Sequence, residues 1–227
     1  METPDALTSA SNGMRAQTAR LDVIAANLAN ASTTGYSARA QAFADYGSEL
    51  HERTDVTQAQ GHLQRTGVPT DLALVGPGYF AVATPDGVRY TRNGRLTLDP
   101  RSHLRDALGN PVLGSLGPAR FPDGATITED GRVVAHGKVV DRLRIVTFDA
   151  PCRSLDSGLF AAPSGSVPRR SFASVRCGFL EDSGVDAIAE MTQLIGAERS
   201  FEANQKTLER TDESLRKLVV DVPGMRS

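Results

Sequence analysis

Glycine and proline are segregated along this chain, and their segregation limits where helices can form. Residues 5–34 contain one Gly and no Pro, and residues 185–222 do the same, whereas residues 61–180 hold 15 Gly and 10 Pro. Proline breaks helix interiors and glycine weakens them. The two ends are therefore free to be helical and the middle is not. The expected order is helix, β-rich body, helix.

At the N-terminal end, Thr3 is placed to cap a helix with Pro4 at its first position. Leu7, Met14, Leu21 and Leu28 then recur every seven residues, with Ala10, Ile24 and Ala31 between them and Gln17 interrupting that second row. Gly35 offers a left-handed stop. The C-terminal helix is predicted to open at Ser183, with Asp186 three residues on in a capping-box arrangement. Its seven-residue period runs through Leu194, Phe201, Leu208, Leu215 and Val222. Pairs at four-residue spacing (Glu202/Lys206, Asp212/Arg216, Glu213/Lys217) support its outer faces. A thin stripe of period seven suits a partner helix more than a broad core. The fold class expected is α+β, with long N- and C-terminal helices paired in coiled-coil fashion and bracketing an antiparallel all-β domain. Four regions follow: an N-terminal helix over 1–35, an extended linker over 36–64, a β-rich outer domain over 65–180 and a C-terminal helix over 181–227.

In the middle, strands are predicted over Gly78–Thr84 and Val88–Thr91 about a Pro85-Asp86-Gly87 turn, and Asn93-Gly94 bends the chain into Arg95–Leu98. Another strand is expected over Ala125–Glu129, and the longest of the body over Val139–Phe148. Strands so close in sequence favour antiparallel hairpins over a doubly wound sheet. Tyr36–Tyr46 alternates small and polar residues and reads as extended chain.

Chemistry is sparse. The histidines (His51, His62, His103, His136) have no second ligand at short spacing, and two cysteines, Cys152 and Cys177, cannot make a zinc site alone. The bland reading of these cysteines, two small buried thiols, is favoured over a bridge. Gly76-Pro77-Gly78 precedes a strand and is followed by no Lys-Ser/Thr, so it is a turn and not a phosphate loop. Asp71, Asp86 and Asp99 sit in turn contexts where Asp bonds its own backbone. With 25 basic and 27 acidic residues, no charge surplus is set aside for nucleic acid. No apolar run approaches the roughly 20 residues that span a bilayer, and the first residues lack the pattern of a secretory signal. Neither a membrane anchor nor a cleaved signal is expected, and no cofactor, metal or catalytic residue is predicted. The rival expectation is a cell-wall glycan-binding or glycan-cutting β domain with helical arms, which would need converging carboxylates.

Ala25-Ala26-Asn27-Leu28-Ala29-Asn30-Ala31-Ser32-Thr33-Thr34-Gly35-Tyr36 strongly resembles the signature near the start of bacterial flagellar axial proteins of the rod and hook. Thr66–Leu74 followed by Gly78–Val82, Tyr90–Asp99, and Gly178–Val185 leading into a helix with Met191, Ile195, Arg199, Phe201 and Glu202 resemble the rod members in the same order. The resemblance implies a non-enzymatic structural subunit of the flagellar basal body. It implies export through the flagellum's type III apparatus, with partners that are further copies of itself and other rod and hook subunits. It also implies helical polymerisation into a hollow, torque-transmitting rod across the periplasm, and so a part in flagellum-dependent motility. Its motif residues here are Asn27, Leu28, Asn30, Thr34, Gly35 and Tyr36. The seams expected to drive assembly are Leu7, Met14, Leu21, Ile24 and Leu28 on one helix and Leu194, Phe201, Leu208, Leu215 and Val222 on the other. Proximal- and distal-rod members both fit, with Ala31–Tyr36 and the Ala-rich stretch after it leaning to the proximal one.

Overall fold

A computed structural model describes residues 3–46, 49–56, 60–155 and 158–220. Helix α1 spans Thr3–Ala29 and helix α2 spans Ala187–Val220. Between them, among the described residues, lie seventeen strands. They run β1 Arg39–Tyr46, β2 Glu49–Val56, β3 Leu63–Arg65, β4 Leu72–Val75, β5 Tyr79–Thr84, β6 Gly87–Thr91, β7 Thr97–Leu98 and β8 Leu104–Arg105. There follow β9 Thr126–Ile127, β10 Arg132–Ala135, β11 Lys138–Arg142, β12 Ile145–Thr147, β13 Arg153–Ser154, β14 Leu159–Ala161, β15 Arg169–Arg170, β16 Ser174–Cys177 and β17 Phe179–Glu181.

The chain divides into two compact units. One comprises Met1–Leu28, Gln41–Thr54 and Ala187–Ser227; the other comprises Ala29–Ala40 and Asp55–Asp186. In the second unit a six-stranded sheet has the order β13-β14-β6-β5-β12-β15, and a three-stranded sheet has the order β11-β10-β9. The β5–β6 hairpin is antiparallel in the register Phe80↔Thr91 to Thr84↔Gly87, as the Pro-Asp-Gly turn demands. Strand β5 is covered on both faces. Phe80 and Val82 join Leu72, Leu74, Leu96, Leu104, Val112 and Val133 in one cluster, while Tyr79 and Ala81 join Tyr90, Val146, Cys152 and Phe160 in another. That is the period-two alternation of a strand, with apolar groups on both sides.

Several expectations are corrected. The paired, coiled-coil-like helix couple is not present. There is one helix at each end around a mostly antiparallel β domain, and the buried residues of the helices are only Ile24, Asn27 and Ala197 among the described side chains. A coiled coil requires apolar knobs buried along its length. Here the described ties between the helices are hydrogen bonds, Gln17 to the Ala197 carbonyl and Asn27 to Glu190. Helix α2 begins at Ala187, so Ser183 lies before the helix, and its Oγ accepts from the Val185 N–H. Helix α1 stops at Ala29, and Gly35 ends the turn beyond it with φ +66°. Val139–Phe148 is not one strand: the Leu143 N–H donates to Gly131 O and the Arg144 N–H to Leu113 O, which diverts the backbone between β11 and β12. Within 36–64, β1 and β2 form a two-stranded sheet.

Candidate functional site

Two places draw together the residues singled out in the sequence. The first is in the helical unit. Gln17, which interrupts the apolar row of α1, donates from Nε2 to the Ala197 carbonyl at 2.8 Å. Asn27, only 1% exposed, donates from Nδ2 to Glu190 Oε1 at 2.8 Å. Glu190 lies in the first turn of α2, where a carboxylate is favoured by the helix dipole. A buried amide must find partners or cost free energy comparable to a lost hydrogen bond, so Asn27 sets the axial register of the two helices. Ala197 leaves room for the Gln17 approach.

Among the expected seam residues, Ile24 is buried, while Met14, Leu21, Leu28, Leu194 and Phe201 are half-buried. The side chains of Leu7, Leu208 and Leu215, and the whole of Val222, lie outside the described residues. An apolar row on α2 faces outward instead: Ile188 is 79% exposed, Met191 52% and Ile195 53%. Their spacing of three and then four places them on one face of the helix. Large aliphatic side chains clustered on one exposed helix face mark a surface that another protein covers.

The second place is in the β unit, where the signature leaves α1. Asn30 and Thr33 close a turn through Thr33 N to Asn30 O at 3.0 Å, and the Tyr36 N–H donates to Thr33 O at 3.2 Å. The Gly35 N–H donates to Glu181 O at 2.7 Å, and the Gly184 N–H donates to Tyr36 O at 2.9 Å. Gly35 and Tyr36 are buried, and Thr34 and Asn30 half-buried. A Cβ on Gly35 would sit 2.6 Å from the Arg92 backbone carbonyl carbon and oxygen, in a left-handed conformation that L side chains resist. Only glycine passes here.

Beneath this staple lies a buried ion pair. Arg92 Nε donates to Glu181 Oε2 at 2.6 Å, with side-chain exposures of 11% and 5%. The other guanidinium nitrogens donate to the carbonyls of Gly76 at 2.8 Å, Gly78 at 2.7 Å and Leu74 at 3.1 Å. Glu181 Oε1 accepts from the Gly61 N–H at 3.1 Å. The planar fork of Arg suits such simultaneous donation. One arginine thereby joins the strand leading to α2, the Gly76-Pro77-Gly78 turn and the chain returning from β2. A cleft of about 180 Å³ lined by Ser37, Gln60, Gly76, Pro77, Tyr79, Arg92 and Glu181 opens beside it. Its charged pair is satisfied by its own partners, so the arrangement holds segments together and offers no acid or base to a substrate. The roles of Arg92, Glu181, Glu190 and Ala197 were missed by sequence reasoning. An isolated Arg and Glu 89 residues apart carry no local signal of pairing.

The carboxylates weighed for hydrolysis are occupied elsewhere. Asp99, its side chain 7% exposed, accepts from the N–H groups of His103 and Arg101 and from the Arg105 guanidinium. The His103 N–H above all, with the Arg105 side chain and the Arg101 N–H, holds its pKa down at about 2. Asp71 pairs by backbone bridge with Arg95, and Asp86 is exposed in the β5–β6 turn. Cys152 and Cys177 are free thiols; burial pushes the Cys152 pKa up to about 11. Among the described residues no group of three or more His, Cys, Asp or Glu is placed to hold a metal, and no helix is long and apolar enough to cross a membrane.

Comparison with known proteins agrees with this geometry. A family profile described as "Flagella basal body rod protein" matches residues 7–36, one for the "Flagellar hook protein FlgE/F/G D1 domain" matches 73–135, and one for the "Flagellar basal body rod FlgEFG protein C-terminal" matches 177–219. The chain is 32% identical over 237 residues to the flagellar basal-body rod protein FlgF of Mesorhizobium japonicum, covering 94% of this chain and 98% of that protein. It is 34% identical over 221 residues to FlgF of Escherichia coli (85% and 88% covered). It is also 32% identical over 250 residues to the rod protein FlgG of Agrobacterium fabrum (92% and 95% covered).

Proposed function

The chain belongs to the flagellar basal-body rod protein family, and on that premise we propose that its copies polymerise helically through the terminal helices into the hollow axial shaft that carries torque across the periplasm. It is a structural subunit of the bacterial flagellum's basal body, not an enzyme, and it assembles with other rod and hook subunits. Nothing in the comparisons supports the glycan-binding or glycan-cutting alternative, and Asp71 and Asp99 are engaged in holding strands and turns together. Delivery through the flagellar type III export apparatus belongs to the same proposal.

The observation that carries the polymerisation reading is the outward row Ile188, Met191 and Ile195 on α2. In water, each of these side chains forgoes a large part of the roughly 1.5–3 kcal/mol that full burial of an aliphatic residue brings. Neighbouring subunits would recover it. Replacing all three by Ser in the full chain tests this. Because the side chains are exposed, stability of the β unit is expected to change by no more than about 0.5 kcal/mol. The variant should nevertheless be missing from purified basal bodies, with loss of swimming. Incorporation at the wild-type level would contradict the proposal.

A further inference from the structure

We infer that Arg92 and Glu181 are a force-bearing pair, which locks the β3–β17 ladder against unzipping when load enters the β unit along the chain. The inference rests on the torque-carrying role proposed above and adds which residues bear that load.

The chain passes between its two units at 28/29, 40/41, 54/55 and 186/187. Tension carried by the backbone reaches the β unit at those points. Segments close to three of them are bonded to one another within the β unit. Residues 181–184 are joined to 35–36, through the Gly35 N–H to Glu181 O at 2.7 Å and the Gly184 N–H to Tyr36 O at 2.9 Å. They are joined also to 61–62, through the Asp182 N–H to His62 O at 2.8 Å. The fit is tight, since a Cβ on Gly61 would run into the Asp182 carbonyl.

Strands β3 and β17 are antiparallel, in the register Phe179↔Arg65 to Glu181↔Leu63. The segment entering β3 and the segment leaving β17 therefore join the ladder at the same end, the Leu63–Glu181 rung. The far end is closed by the Thr66 and Gly67 N–H groups, which donate to Gly178 O at 2.9 and 3.1 Å. Bonds of an antiparallel pair lie perpendicular to its strands. Tension that draws residues 62 and 182 apart thus falls on one rung at a time, beginning with the Leu63–Glu181 rung. A ladder loaded in this way opens bond by bond unless its first rung is reinforced.

Glu181 supplies the reinforcement. Its carbonyl accepts from Gly35, its Oε1 from the Gly61 N–H, and its Oε2 from Arg92 Nε. Arg92 passes the load inward, because its remaining donors hold the carbonyls of Leu74, Gly76 and Gly78. These stand at the end of β4 and before β5, whose Leu72, Leu74 and Phe80 are fully buried. Gln60, in the segment entering β3, donates from Nε2 to the same Leu74 carbonyl at 2.9 Å. Hydrogen bonds between ionised groups are roughly twice as strong as neutral ones, and this pair is largely out of water. The first rung cannot part until several bonds anchored in the core break together.

Single-molecule pulling on the full chain, carrying Cys152→Ser and Cys177→Ser, tests this in two directions. Handles at the two termini draw residues 29 and 186 apart once the helical unit has opened. Handles on Asp86→Cys and Lys138→Cys, both exposed positions, load the β unit away from the β3–β17 rung. Arg92→Lys keeps the charge and loses the fork. Under terminal load it is expected to speed opening of the β unit about tenfold at a fixed force, the size that a lost hydrogen bond to a charged group carries. Under the internal load the expected change is no more than about threefold. A residue that merely stabilises the fold would speed both alike. Gln60→Leu, at an exposed position, covers failure of Arg92→Lys to fold and is expected to show the same directional bias. Equal factors in the two directions would overturn the inference and leave the rod reading standing. Absence of the wild-type chain from purified basal bodies would overturn the rod reading, and with it the load that the pair is inferred to bear.

Discussion

Arg92 shows how one residue can organise a junction. Its fork reaches Glu181 and three backbone carbonyls at once, in a place where neither charge meets water freely. Arg92→Met would leave Glu181 buried without its counter-ion, a defect that costs about 3–5 kcal/mol. The double change Arg92→Met with Glu181→Leu should cost clearly less, since no unpaired charge remains. Urea unfolding of the single and double variants checks this, and equal losses would show that the carbonyl bonds outweigh the ion pair. Asp99 makes a different prediction. Its folded pKa of about 2 lies below the value near 3.9 of an unfolded Asp. Its contribution to stability is therefore complete above about pH 4 and disappears as pH falls toward about 2. The denaturation midpoint of Asp99→Asn should fall less steeply than the wild type's across that window. Parallel curves would contradict the assignment.

At the scale of elements, the body and the helices are held by unequal means. Strand β5 is enclosed on both faces, whereas Ala197 is the one buried residue of α2 among the described side chains. Helices draw most of their stability from tertiary burial of a face, so amide exchange in the isolated full chain should be fast along α2 and slow in β5. Equal protection would contradict this. The difference also explains what was legible beforehand. Helical ends and a β middle followed from where Gly and Pro stand, and the β5–β6 hairpin followed from Pro85-Asp86-Gly87. A seven-residue period reports which side of a helix is apolar, not what covers that side, so it does not by itself specify a coiled coil. Gln17 looked like a flaw in the stripe, yet it forms a tie to Ala197. The split of Val139–Phe148 is not visible in the local sequence, since it depends on the carbonyls of Gly131, in the bend before β10, and of Leu113, about thirty residues away. Within the signature, Gly35 was legible as a left-handed glycine, but its reason, the Arg92 backbone pressed against it, was not.

For the whole molecule, one unit has a two-sided β core of its own, and in the other the described side chains of α2 include three large apolar ones, Ile188, Met191 and Ile195, that are exposed. A structural subunit of a polymer needs that imbalance: the fold of the copy must not wait for assembly, while the surface that assembles must not be satisfied without it. Family membership sets the polymer as the basal-body rod, and relatives named FlgF and FlgG match at similar identity. On the proposed function, the rod is incomplete without this chain. Electron microscopy of basal bodies purified from a strain lacking its gene tests that directly. Basal bodies with a truncated rod and no hook are expected, restored when the chain is supplied again. Full-length rods bearing hooks in that strain would contradict it.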